Sequence, residues 1–247
     1  MITKLLKIIK NLLVLLKKKY RFWKDYNYFI KNDKRFLIRA KDVLPCLNDN
    51  TSSLLYDRHY VYHTAWAARL ISQNRPQRHI DISSDLRFVT LVSAFIPIEF
   101  YDYRPADLNM SNLKCGAADL KKLSFNDNSI ESLSCMHVVE HVGLGRYGDD
   151  LDADGDIAAI KELSRVIAPK GKLYFVVPVG GEARIQFNAH RIYRKEDIIN
   201  LFQENGLIIE EFTLIPDDPA DGDLIKNPAS ILLEKQKYGC GCFLFSK

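Results

Sequence analysis

The chain has 247 residues, 47% of them hydrophobic and 27% charged, a balance that fits one globular domain with an extension. Net charge is +4, but residues 1–35 hold eleven Lys and Arg against two Asp, leaving the remaining residues at −5. A basic arm on a mildly acidic body argues for an anionic surface met by the arm and against a nucleic-acid-binding core.

The first predicted element covers residues 2–19. Apolar residues at 2, 5, 6, 9, 12, 13 and 16 form one helical stripe, with Lys4, Lys7, Lys10, Lys17 and Lys18 on other faces. The longest uncharged run, Asn11 to Leu16, is too short to span a bilayer, and neither an adequate apolar run nor a small-residue cleavage site marks a signal peptide. With Tyr20, Phe22 and Trp23 just behind it, the basic amphipathic helix suits an anionic membrane surface met through residues 1–23. The alternative is a helix that packs on its own domain or on a partner subunit. Residues 20–50 are read as a connector, which gives an arm over 1–50 and an α/β domain over 51–247.

Leu54 to Gln73 has helical spacing. Its His59, His63 and Trp66 are either packing residues or a solvated face, or else Tyr60, Tyr62 or His63 lines the mouth of a site. Arg78 to Ile82 reads as a first strand. Ser83-Ser84-Asp85 turns into a helix over Leu86 to Ala94, and Ser and Asp suit a helix cap. Pro97 to Tyr101 is a second strand ending in Asp102, 21 residues after Asp81. An acid about twenty positions past the first turn is placed to accept two hydrogen bonds from a ribose diol. Glu99 is the runner-up, and an exposed loop acid the plain alternative.

A short strand near Leu113 to Ala118 leads to Asp119, and after the loop Asp127-Asn128-Ser129 a buried strand runs from Ile130 to Met136. Polar residues at strand ends are how open α/β sheets build a ligand crevice. His137-Val-Val-Glu140-His141 has the spacing of an inverted zinc-protease motif, but its first His ends a strand, so Glu140 and His141 are read as pocket lining or a helix start. Asp150-x-Asp152-x-Asp154-Gly155 begins like a calcium loop, but Lys161 stands where the twelfth-position Glu belongs, so it is read as a polar loop capping a helix over Ile157 to Ile167. No metal is expected.

Lys172 to Val177 is the next strand, followed by a loop with Gly180-Gly181. In Phe187 to Tyr193, His190 is the general-base candidate, because imidazole titrates near neutrality, and Arg191 could bind an anionic group. Structural hydrogen bonding is the alternative for both. A helix over Lys195 to Asn205, a strand over Ile208 to Ile215, a mobile polar loop over Pro216 to Pro228 and a strand over Gly239 to Phe245 complete the chain. The five Cys (46, 115, 135, 240, 242) show no metal spacing and read as reduced thiols in a cytoplasmic protein, Cys135 as a buried one.

Ala117 to His141 (AADLKKLSFNDNSIESLSCMHVVEH) resembles a segment of class I S-adenosylmethionine-dependent methyltransferases. With HIDISSDLRFV, YDYRPADL, GRYGDDLDADGD and NAHRIY, the region from Leu54 to Lys247 looks closest to a bacterial family of domains of unknown function, DUF268, often associated with surface-polysaccharide genes. The resemblance implies a Rossmann-like fold with a mainly parallel seven-stranded sheet whose last strand is antiparallel. It implies S-adenosylmethionine as cofactor, with Asp81, Ser83, Ser84, Asp102, Asp119, Leu120 and His137 around it: Asp102 on the ribose, Asp119 on the adenine amino group and the Leu120 backbone beside it. Ser83 stands where the family has the first glycine of its turn, and a serine takes positive φ less cheaply. His190, His137 and Arg191 are the catalytic candidates. The absence of an N/D-P-P-Y segment argues against methylation of a base nitrogen. The resemblance points to a small-molecule or glycan acceptor, specifically a sugar or polysaccharide hydroxyl, methylated at the inner face of the cell membrane. The alternative is an inactive scaffold with protein partners in glycan assembly.

Overall fold

The structure, a computed structural model, describes residues 2–247, with side chains from residue 4 onward. It divides into a unit ending at Tyr56 and a unit of Asp57–Lys247.

In the first unit, helix α1 spans Ile2–Asn32, far past the predicted end at residue 19. No Gly or Pro interrupts residues 2–44, so nothing in the aromatic stretch after Tyr20 breaks the helix. Its apolar residues Leu5, Leu6, Ile9, Leu12, Leu13 and Leu16 are exposed. Met1 and the Ile2 side chain, parts of the predicted arm, lie outside the described residues. No helix among the described residues is long and apolar enough to cross a membrane.

The second unit opens with α2 (Arg58–Asn74), which starts four residues later than predicted because the Asp57 carboxylate caps it, accepting from the Tyr60 N–H. There follow β1 (His79–Ile82), α3 (Leu86–Val92), β2 (Ile98–Asp102), β3 (Leu113–Ala117), β4 (Ile130–Met136), α4 (Gly155–Val166), β5 (Ile167–Val179), β6 (Arg184–Gln186), β7 (His190–Ile192), α5 (Lys195–Glu204), β8 (Ile208–Ile215), β9 (Ile225–Lys226), α6 (Ser230–Lys235) and β10 (Gly239–Ser246). The main sheet has the order β3-β2-β1-β4-β5-β10-β8-β9. β1 pairs in parallel with both β2 and β4, while β10 runs antiparallel between β5 and β8. The expected antiparallel last strand is present, but the sheet has eight strands, because β9 adds a two-residue edge beside β8.

Side-chain alternation along β5 shows how the layers form. Leu173, Phe175 and Val177 point to the core shared with α4 and α5, where Phe175 meets Phe202 edge to face at 4.8 Å. Tyr174 and Val176 point to the opposite core, with Trp66, Ala67 and Ile71 of α2 and Phe88 of α3. Helices therefore cover both faces of a strand sequence apolar on both sides. The segment predicted as a mobile loop, Pro216 to Pro228, is instead tied down. The Asp217 carboxylate accepts from the Lys237 and Tyr238 N–H groups at 2.6 and 2.9 Å, and β9 pairs with β8.

Candidate active site

The order of the sheet reverses between β1 and β4, and there the parallel strands present their carboxyl ends to solvent. A cavity of about 370 Å³ opens at this point. Its walls are Ser83, Ser84 and Asp85 after β1, Asp102 to Arg104 after β2, Ala118 to Lys121 after β3, and Met136 to Val138 at the end of β4. Of the seven residues expected around a cofactor, Ser83, Ser84, Asp102, Asp119, Leu120 and His137 line this cavity.

Asp81 does not. It is fully buried behind the turn, where its carboxylate accepts from the Ser84 N–H at 3.0 Å and from the Ser134 hydroxyl. His79 extends the chain, with its ring nitrogens 2.7 Å from Ser132 Oγ and 2.8 Å from Ser134 Oγ. Burial raises the Asp81 carboxyl to about 7 and lowers the His79 imidazole to about 3. Asp81 thus holds the turn in shape instead of touching a ligand.

The turn is glycine-free but keeps a glycine-like backbone. Ser83 has φ +58° and His137, across the switch point, φ +57°. An L-residue in this region costs about 1–2 kcal/mol. The serine hydroxyls are committed to the fold: Ser83 Oγ donates to the Tyr101 carbonyl at 3.3 Å, and Ser84 Oγ accepts from the Met136 N–H at 3.1 Å. The carboxylates are less occupied. Asp102 accepts from the Arg104 N–H at 2.7 Å and Asp119 from the Lys121 N–H at 2.9 Å, each through one oxygen, Oδ1.

A second cavity, of about 440 Å³, adjoins the first and shares Tyr60, His137, His141 and Tyr147 with it. Asp57, His59, Glu140, Arg146, Ala189, His190 and Tyr238 complete its walls. His137 Nδ1 lies 2.8 Å from Glu140 Oε1. Burial pulls the His137 imidazole down to about 4 and pushes the Glu140 carboxyl up to about 7. His141 Nδ1 donates to the Ala189 carbonyl at 2.7 Å, so Glu140 and His141 serve as lining. His190 stacks on Tyr238 at 4.8 Å, and burial lowers its imidazole below the usual range, leaving it neutral at pH 7. Burial raises Tyr60 and Tyr238 to about 12, so both keep their hydroxyl protons.

Arg191 is not free to bind an anionic substrate. Its guanidinium is buried, donates to the carbonyls of Val142 at 2.6 Å and Ala153 at 3.2 Å, and lies 3.5 Å from the Asp156 carboxylate. It anchors the loop that walls both cavities. Gly143 in that loop has φ +78°, and a Cβ there would sit 2.1 Å from the Asp152 carbonyl, which excludes any side chain. Asp154 occupies the N-cap of α4 without a side-chain cap bond, and Asp152 pairs with Lys121 at 3.2 Å. Cys135 is fully buried and its thiol is pushed far up, which makes it inert.

His59, Tyr238 and Cys240 were not predicted at this site. His59 and His63 do share one helix face by their four-residue spacing, which was the available signal. Tyr238 and Cys240 arrive only through the pairing of β10.

The chain is similar to solved structures of one fold. A 1,6-didemethyltoxoflavin-N1-methyltransferase from Burkholderia thailandensis, solved with S-adenosylhomocysteine, is 10% identical and has a TM-score of 0.54, over 75% of this chain and 79% of that one. A SAM-dependent methyltransferase from Leishmania major is 11% identical with a TM-score of 0.54, over 77% and 74%. A TehB-like SAM-dependent methyltransferase from Corynebacterium glutamicum is 16% identical with a TM-score of 0.50, over 76% and 88%. The fold is that of class I methyltransferases. Residues 110–213 match the family described as Caenorhabditis protein of unknown function, DUF268, a description that names Caenorhabditis where a bacterial family was expected. No curated protein matches the chain.

Proposed function

We propose that this chain is an S-adenosylmethionine-dependent methyltransferase that acts on a hydroxyl of a sugar or glycan. The observation that carries the reading is the switch-point cavity with the Asp102 and Asp119 carboxylates on its wall, opening into a second cavity through His137. When bound, S-adenosylmethionine supplies an activated methyl group. Asp102 suits a ribose diol, since its Oδ2 makes no hydrogen bond among the described residues. Asp119 and Leu120 suit the adenine edge. The acceptor enters the second cavity, where neutral His190 takes the hydroxyl proton. His190 Nε2 is buried there without a hydrogen-bond partner among the described residues. Alignment of acceptor and methyl does most of the remaining work.

We place this activity at the inner face of the cell membrane. Supporting this, α1 is strongly basic and exposes its apolar residues, a combination suited to anionic lipid. A second reading, a scaffold in glycan assembly that binds no cofactor, draws on the strained serine turn.

Calorimetric titration with S-adenosylmethionine and S-adenosylhomocysteine decides between the two readings. The enzyme reading expects saturable binding, weakened about tenfold or more in Asp102→Ala and Asp119→Ala, since a hydrogen bond to a charged group is worth about 1.5–3 kcal/mol. It expects His190→Ala to lower turnover while cofactor affinity holds. No binding at millimolar ligand would favour the scaffold, and unchanged affinity in both Asp variants would remove their assigned roles.

A further inference from the structure

Four of the six histidines, His59, His137, His141 and His190, line the second cavity, and a fifth, His63, packs its ring against His137. At their centre is His137. The His59 ring stacks on it at 5.5 Å, and Cys240 Sγ lies 3.5 Å from its Nε2. His59, His137 and Cys240 come from the first turn of α2, the residue after β4 and the second residue of β10. Their donor atoms all lie within 4.8 Å of one another.

Glu140 sits behind His137: with its carboxyl ionised it accepts from Nδ1–H, which leaves the Nε2 lone pair turned toward Cys240. A carboxylate behind an imidazole is the arrangement that orients metal-ligating histidines. The surroundings hold further unused donors. Glu140 is 1% exposed, and its Oε2 has no partner among the described residues; His63 Nε2 and His190 Nε2 are likewise buried and unpartnered. Such groups are expensive to leave unmatched in a folded protein.

We infer that His59, His137 and Cys240 form a binding site for a divalent metal ion of the zinc type. Two imidazoles and a thiolate suit a borderline-soft ion and not calcium or magnesium. Tetrahedral zinc, with bonds of about 2.0–2.3 Å, sets neighbouring nitrogen and sulfur ligands about 3.5 Å apart. The His137–Cys240 pair already has that spacing. Closing the site asks the half-buried His59 ring, which stacks on His137 at an interplanar angle of 10°, to turn so that one of its nitrogens faces the same ion. Three protein ligands leave a fourth position facing the cavity of Glu140, His190 and Tyr238, open to water or to a heteroatom of an acceptor. The site stands whether or not the adjoining cavity takes S-adenosylmethionine, because the metal alone reads it out.

The test uses the full, untagged chain, reduced and stripped with a chelator. Zn²⁺ is titrated against a chromophoric competitor and Co²⁺ is followed by absorption, with folding checked by circular dichroism. The expected result is one equivalent of metal and a thiolate-to-cobalt charge-transfer band. That band should persist in Cys46→Ser and vanish in Cys240→Ser. His59→Gln should weaken zinc at least tenfold, and Glu140→Gln by about 10- to 100-fold through its hold on His137. Should Cys240→Ser fail to fold, His59→Gln, a change of a half-buried side chain in the cavity wall, carries the test alone. Absence of tight zinc binding, or zinc affinity unchanged in His59→Gln, would overturn the site and leave the Cys240–His137 contact as a simple S–H···N hydrogen bond.

Discussion

Replacing Asp81 with Asn isolates one titration on which the shape of the first turn depends. Asp81 is completely buried, and desolvation outweighs the Ser134 and Ser84 donors, so its carboxyl sits near 7 against an ordinary 3.8. The folded protein thus holds this proton more tightly than the unfolded chain. The resulting stability is complete below pH 4 and is lost as pH rises through 7. At about 1.36 kcal/mol per pH unit, the whole window is worth on the order of 4 kcal/mol, with about 2–3 kcal/mol of it above pH 5. The Asp81→Asn side chain keeps an oxygen to accept from the Ser84 N–H and presents an amide to Ser134 Oγ, but it cannot ionise. Urea unfolding at pH 5 and pH 7.5, followed through the buried Trp66, gives the difference between parent and variant, in which other titrations cancel. The parent should lose about 2–3 kcal/mol relative to Asp81→Asn over this range. Parallel pH profiles would mean that Asp81 is ionised in the fold throughout, and that the donors around it outweigh its burial.

Other consequences follow from the same turn and its neighbours. Ser83→Gly should be more stable than Ser83→Ala by about 1 kcal/mol in chemical unfolding, because only glycine sits at φ +58° without a Cβ penalty; equal stabilities would refute strain at this position. Arg191→Lys cannot span the carbonyls of Val142 and Ala153 together, so it should lower unfolding stability by about 2 kcal/mol and open residues 142–154 to limited proteolysis. Full stability there would return Arg191 to the list of candidate substrate ligands. Removing residues 1–32 should abolish sedimentation with phosphatidylglycerol vesicles while leaving phosphatidylcholine controls unchanged, and undiminished binding would rule out α1 as the anchor.

The parts of the site that could be read in the sequence are those that depend on strand ends. Asp102, Asp119 and His137 follow short apolar runs, and parallel pairing alone brings such positions to one edge. The mainly parallel sheet and its antiparallel strand came from the resemblance, not from the residues themselves. What escaped depends on long-range packing. Whether Arg191 faces a substrate or backbone carbonyls is set by a loop almost fifty residues earlier in the chain. The reach of α1 is hard to read because the apolar stripe gives way to aromatic residues after Tyr20, although none of them stops a helix. His59, with nothing but helical spacing to mark it, acquires meaning only beside His137 and Cys240.

The placement of β10 has a consequence for how the chain is made. This strand follows every other strand in sequence, yet it lies between β5 and β8. On a ribosome, β5 therefore waits with one edge unpaired until residues 239–246 emerge, and β8 has no route into the sheet before then. An open, apolar edge of this kind is a template for foreign strands. Cys240 arrives in the same event, so the nascent protein completes its sheet and the wall of its histidine cavity in a single late step.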